Sequence, residues 1–158
     1  MAGASLNVEH INPFLISATK ILKEMCSVNT TVGKPYIKSP AFFSDTLIIL
    51  IGFTGEIKGQ AMITFENNIA CDIASKMIGM PIAMMDELAK SAIGELGNMI
   101  MGNTATIFST KGTAIDITPP TIGNGTISFT TNFAQNICIP LNYEGDKRIE
   151  INIAIKGD

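Results

Sequence analysis

The segment Ser91-Ala-Ile-Gly-Glu95-Leu-Gly-Asn98-Met-Ile-Met-Gly102-Asn103 carries a hydroxyl, a carboxylate and a carboxamide at helical spacing. At about 100° per residue, Ser91, Glu95 and Asn98 fall within a sector of roughly 60°. The i,i+4 and i,i+3 steps between them make them surface neighbours. Ala92, Ile93, Leu96, Met99 and Ile100 point the other way, as an amphipathic helix requires. Gly94 and Gly102 lie four residues either side of Asn98, so the amide has neighbours without side chains. Each interior glycine costs about 1 kcal/mol relative to alanine. A helix that keeps both around one exposed amide lets another molecule's backbone come close. The plain alternative is a solvated helix surface on which these residues have no task. The glycines count against it, and so does Glu95. Its i±3 and i±4 positions hold Ala92, Asn98, Ser91 and Met99, with no Lys or Arg, so its charge is available to a basic group elsewhere. The stripe reads as a docking and catalytic face.

Several enzyme templates fail. No G-x-S-x-G elbow, H-E-x-x-H or Walker A run occurs, and a lone histidine, His10, argues against a Ser/His/Asp triad. His10 stands just before a helix and is expected at the surface. The glycines of Gly52 to Gly59 and of Gly123-Asn124-Gly125 read as turns. Cys26, Cys71 and Cys138 are far apart, odd in number and without a C-x-x-C, so neither a disulfide framework nor a structural zinc site is expected. That usage favours a reducing cytoplasm, with each cysteine packed inside.

The elements that must position the stripe follow from the apolar patterning. With 158 residues, 46% hydrophobic and 16% charged, the chain is expected to be one globular domain, 1–158. A net charge of −3, with Lys147-Arg148 the single basic pair, argues against a nucleic-acid partner. The longest apolar run, Leu47 to Phe53, is too short to span a bilayer, and Met1 to Leu6 lacks the features of a secretory signal. Asn12 is read as the cap of a first helix with Pro13 at its first position, ending near Cys26 to Val28. An irregular or edge segment follows through Gly33-Lys34-Pro35 and Ser39-Pro40. Leu47 to Ile51 reads as a central strand buried on both faces, joined at Thr54-Gly55-Glu56 to a second strand over about Ile57 to Phe65.

Asn67 or Asn68 caps a second helix that Gly79 and Pro81 stop. Asp86 or a neighbour starts the third, motif-bearing helix, which ends at Lys111-Gly112. A short strand near Ala114 to Thr118, the Pro119-Pro120 step, and a closing hairpin of Asn136 to Tyr143 and Arg148 to Lys156 complete the chain. The order predicts an α+β fold of two layers, helices packed on a largely antiparallel sheet. A faint internal repeat lays Ser17-Ala18 over Ser91-Ala92, Leu22 over Leu96 and Met25 over Met99. It places Ile21 opposite Glu95 and Glu24 opposite Asn98, so the polar pair exists in the second copy only.

Ser91-x3-Glu95-x2-Asn98, Gly102-Asn103 and a following proline resemble the signature of the CheC/CheX/FliY family, phosphatases of the phosphorylated chemotaxis regulator CheY. The similarity runs from Asn12-Pro13-Phe14 through the mid-chain hairpin and motif helix to the closing hairpin. A single motif copy on a short chain is most similar to CheX. One departure is visible: the family's proline spacing lands on Thr121, with Pro119 and Pro120 one or two residues short. The resemblance implies that Asn98 orients the attacking water and that Glu95 pairs with a lysine at the regulator's phosphorylation site. Ser91, Gly94, Gly102 and Pro119 or Pro120 would form the docking surface. It implies no metal and no cofactor on this chain, Mg²⁺ being carried by the phosphorylated partner. It also implies a cytoplasmic homodimer that contacts neither nucleic acid nor membrane. The alternatives are a non-catalytic regulator-binding module and a flagellar-switch-associated scaffold.

Overall fold

A computed structural model describes residues 8–37, 41–42, 46–124, 127–128 and 136–156. Helix α1 (Val8–Cys26) leads into three short strands, β1 (Thr31–Val32), β2 (Tyr36–Ile37) and β3 (Ala41–Phe42). A long hairpin, β4 (Thr46–Gly55) and β5 (Gly59–Glu66), precedes helices α2 (Asn67–Ile78) and α3 (Glu87–Thr110). Three further short strands, β6 (Ile115–Ile117), β7 (Thr121–Asn124) and β8 (Ile127–Ser128), lead to the second long hairpin, β9 (Asn136–Tyr143) and β10 (Lys147–Ile155). The main sheet runs β1-β9-β10-β5-β4-β6, with β2 also on β9, β7 also on β4, and every pairing antiparallel. The expected α+β architecture is therefore the observed one.

Strand alternation decides which residues meet the helices. Leu47, Ile49, Ile51 and Phe53 of β4 enter the main core with Phe14, Leu22, Ile93, Leu96 and Ile100. Ile48 points to the opposite face and packs with Met62. Phe14 lies 5.5 Å from Phe53 and edge-on to Phe108 at 5.7 Å, so one aromatic ring joins α1, β4 and α3.

The topology contains the repeat that the sequence hinted at. Each half runs helix, three short strands, long hairpin, and β5 and β10 pair at the junction between halves. The short strands do not stay with their own half. β1 and β2 pair with β9, while β6 and β7 pair with β4. Glu144 and Gly145 take positive φ in the turn of the second hairpin, a conformation that glycine tolerates without strain.

Several local expectations need correction. Helix α1 begins at Val8, so Asn12 is not its cap and Pro13 sits inside it. As the sixth residue of the helix, Pro13 supplies no N–H to the ladder, a loss confined to the second turn. Helix α2 is capped by Glu66, without a side-chain hydrogen bond, and Asn67 is its first residue. Gly123 and Asn124 are strand residues facing Ile48 and Leu47, with the edge of β4 overriding their turn preference. Cys26 and Cys138 are buried, but Cys71 is only half-buried. His10 is also half-buried. Ser39-Pro40 and Gly125 lie outside the described residues.

Candidate functional site

Helix α3 is the axis of the site, and its ends are fixed by local chemistry. The Asp86 carboxylate accepts from the Ala89 N–H at 2.9 Å, and Glu87 adds a favourable negative charge in the first turn. At the far end the Lys111 N–H returns to the carbonyls of Phe108 and Ser109. Between them Ala89, Ile93, Leu96, Ile100 and Phe108 are buried, whereas Ser91, Glu95, Asn98 and Thr106 are exposed on the other side.

Close packing seats this helix near the motif. The Ser17 hydroxyl of α1 and the Thr104 hydroxyl both donate to the Ile100 carbonyl, two residues from Asn98. At Gly97 the backbone rests on β4, where an added Cβ would stand 2.8 Å from Cγ2 of Ile49. At Gly94 an added Cβ would stand 2.9 Å from Cδ1 of Ile122 in β7. Gly102 differs: nothing lies within 4 Å of the same position. The glycines that looked alike in sequence thus divide into two that seat the helix and one that leaves its surface open.

An open groove of about 500 Å³ runs beside the motif. Gly94, Glu95 and Asn98 form one wall, and Ile117, Thr118, Pro119 and Pro120 form the other. The second wall exists because prolines have no N–H to give the ladder. β6 pairs with β4 up to Phe53↔Ile117 and β7 resumes at Leu50↔Thr121, so the chain lifts off β4 between them. Thr118 anchors the lifted stretch at Gly52. Its N–H donates to the Gly52 carbonyl at 2.9 Å, and its Oγ1 accepts from the Gly52 N–H at 2.9 Å. Ser91 lies in an adjoining groove of about 310 Å³ with Glu87, Lys90, Ile122, Gly123 and Asn124.

The structure therefore brings Glu95, Asn98, Gly94, Pro119 and Pro120 into one groove. Ser91 lies in the next groove along the helix, and Gly102 lies a helical turn beyond Asn98. Thr118 and its tie to Gly52 escaped the sequence reading. Nothing in 66 residues of separation signals that contact. Among the described residues neither the Glu95 carboxylate nor the Asn98 carboxamide has a hydrogen-bond or ion-pair partner. Among the described residues no group of three or more His, Cys, Asp or Glu side chains is placed to hold a metal ion. No helix among them is long and apolar enough to cross a membrane.

Residues 47–142 match the family model of the chemotaxis phosphatase CheX. CheY-P phosphatase CheX of Thermotoga maritima is 31% identical over 147 residues, which span 92% of this chain and 95% of that protein. The chain belongs to the CheX family. Solved structures agree with this membership. A CheC-like superfamily protein from Shewanella sp. PV-4 superposes with a TM-score of 0.85 at 33% identity, over 96% of this chain and all 100% of that one. A CheX–CheY–BeF3–Mg²⁺ complex from Borrelia burgdorferi contains a chain that superposes with a TM-score of 0.79 at 31% identity, over 96% and 100%. The family expected from the motif and the fold expected from the element order are both borne out.

Proposed function

We propose that this CheX-family chain hydrolyses the aspartyl phosphate of a CheY-like response regulator, with Asn98 orienting the attacking water and Glu95 anchoring the partner. The observation that carries this reading is the exposed Glu95–Asn98 pair, without side-chain partners among the described residues, on a closely packed helix beside the wall formed by Pro119 and Pro120. Hydrolysis forms a bond from the water oxygen to phosphorus and breaks the bond from phosphorus to the aspartate oxygen. An acyl phosphate needs little further activation, and a positioned water is the missing contribution. The Asn98 carboxamide can accept one hydrogen bond from that water and donate another toward the phosphoryl oxygens. Glu95, one turn earlier, is exposed and pairs with no cation among the described residues, so it can meet a lysine beside the partner's phosphorylation site. Ser91, Gly94, Gly102, Pro119 and Pro120 line the approach. Mg²⁺ is carried by the phosphorylated partner in this reading, and no residue of this chain ligates it. Residues 1–158 act as one domain, in the cytoplasm and as a homodimer.

The test is Asn98→Ala. An exposed amide without internal hydrogen bonds contributes little to folding, so stability is expected to change by less than about 1 kcal/mol. Dephosphorylation of the regulator is expected to fall by about 10²-fold, with binding retained. Wild-type turnover in this variant would overturn the assignment.

A further inference from the structure

The exposed stripe of α3 does not begin at Ser91. Leu88 lies three residues before Ser91 and seven before Glu95, on the same side of the helix, and is 57% exposed. Met84, in the loop that enters the helix, is 70% exposed. This loop is held in place. The Ile82 N–H donates to Oγ of Ser75 at 2.9 Å and the Asp86 N–H donates to the Met84 carbonyl at 2.9 Å. Of its apolar side chains Ile82 and Met85 pack on the core, while Met80 and Met84 are exposed, and Met84 stands nearest to the exposed Leu88 in the chain. Beyond Asn98 the stripe changes character, to Gly102 and the exposed Thr106. Along its axis the face thus runs from the exposed Leu88, with Glu87 beside it, through Glu95 and Asn98 to small and polar residues.

That arrangement answers a physical requirement of the proposed complex. A lone ion pair at a wet surface is worth little, because solvent screens it and both side chains lose freedom. Glu95 alone would leave a partner weakly held and free to slide along the helix. Seven residues place Leu88 about 10 Å from Glu95 along the axis, within the footprint of one docked domain. Methionine beside leucine also makes an adaptable apolar surface.

We propose that Leu88 and Met84 form an apolar foothold for the CheY-like receiver domain, continuous with the Glu95–Asn98 face, which supplies the affinity that the Glu95 ion pair lacks. This rests on the docking reading above. The occupant is the receiver because the foothold lies on the same exposed stripe of the same helix, adjoining the groove at Ser91.

The experiment measures binding and turnover of the organism's own CheY-like proteins, phosphorylated with acetyl phosphate. It uses wild type, Leu88→Ala, Leu88→Met, Met84→Ala and Asn98→Ala, with mass in solution by light scattering. Leu88→Ala is expected to raise KM about tenfold, with kcat at saturation reduced less than about threefold and Tm unchanged. Met84→Ala is expected to raise KM in the same direction. Leu88→Met is expected to restore KM to within about twofold. Wild-type KM in both alanine variants, with Asn98→Ala inactive, would overturn the foothold and leave the docking reading standing. If the wild-type protein neither binds nor dephosphorylates any of these regulators, the docking reading fails and the foothold with it. If Leu88→Ala separates an assembly into monomers at unchanged KM, Leu88 meets a second copy and the proposal is overturned.

Discussion

Gly102 and Gly97 are five residues apart on one helix and should respond to the same substitution in opposite ways. Alanine at Gly102 places its methyl group in open space, with no atom within 4 Å. The change then gains only the helix preference of alanine over glycine, about 1 kcal/mol. For a chain of this size that raises Tm by about 2–4 °C. Gly102 nonetheless lies one turn past Asn98 on the exposed stripe proposed to dock the regulator. If a partner's backbone passes there, the methyl group intrudes as an overpacked atom does, at about 1–3 kcal/mol. That corresponds to a KM raised roughly 5- to 150-fold. Alanine at Gly97 would press on Cγ2 of Ile49 at 2.8 Å and on Cδ1 at 3.0 Å, and Ile49 is fully buried with no room to yield. The same overpacking range, less the helix gain, leaves a loss of up to about 2 kcal/mol and a lower Tm. Calorimetric melts of both variants, with phosphate release followed across regulator concentration, give the comparison. A stabilised Gly102→Ala with wild-type KM would refute the close approach at this position. A Gly97→Ala that melts higher than wild type would refute the packing argument.

Glu95→Lys is expected to weaken association with the regulator, and rising salt should weaken wild-type binding modestly, both read by titration. Salt-independent affinity, unchanged in the variant, would remove the carboxylate as an anchor. Burial alone would raise the Asp72 carboxyl, but the Tyr143 hydroxyl at 2.7 Å, Lys76 and Lys147 outweigh it and hold it below the ordinary carboxylate range. A lowered folded pKa gives stability that is present above about pH 4 and lost as pH falls through the folded value. Tyr143→Phe should therefore cost about 1–2 kcal/mol at neutral pH and move the acid-unfolding midpoint upward, measured by circular dichroism against pH. The protein alone is expected to show no tight Mg²⁺ binding by calorimetry and negligible hydrolysis of a chromogenic phosphomonoester. Rapid ester hydrolysis would mean a self-contained hydrolase.

What was legible in the sequence was whatever local chemistry controls. The stripe of Ser91, Glu95 and Asn98 follows from helical periodicity, and the start of α3 at Asp86 and its stop at Lys111-Gly112 follow from capping preferences. Leu47 to Ile51 announced itself through an unbroken β-branched run. Errors arose where a neighbouring element outweighed a local preference. Asn12-Pro13 looks like a helix start, yet residues from Val8 extend the helix backward past a proline that the early turns tolerate. Gly123-Asn124 looks like a turn, yet β4 offers it a ladder. The groove itself was not legible from spacing. Pro119 and Pro120 reach Asn98 only because Thr118 is tied to Gly52, a contact between distant segments. Only the family resemblance pointed to the prolines, and it could not say that their missing N–H groups interrupt the pairing with β4.

The exchange of short strands between the two halves bears on how the protein is made. During synthesis β5 emerges well before β10, yet β10 is its partner, and β1 waits for β9. Until the closing hairpin arrives, β5 presents an open ladder edge, the kind of surface that pairs with the wrong strand. By then helix α3 and the strands β6 and β7 that pair with β4 have also emerged, so both walls of the groove precede the strand that closes the sheet. The groove is built from residues that all precede the closing hairpin, yet the sheet beneath it is completed only when β10 takes its place between β5 and β9.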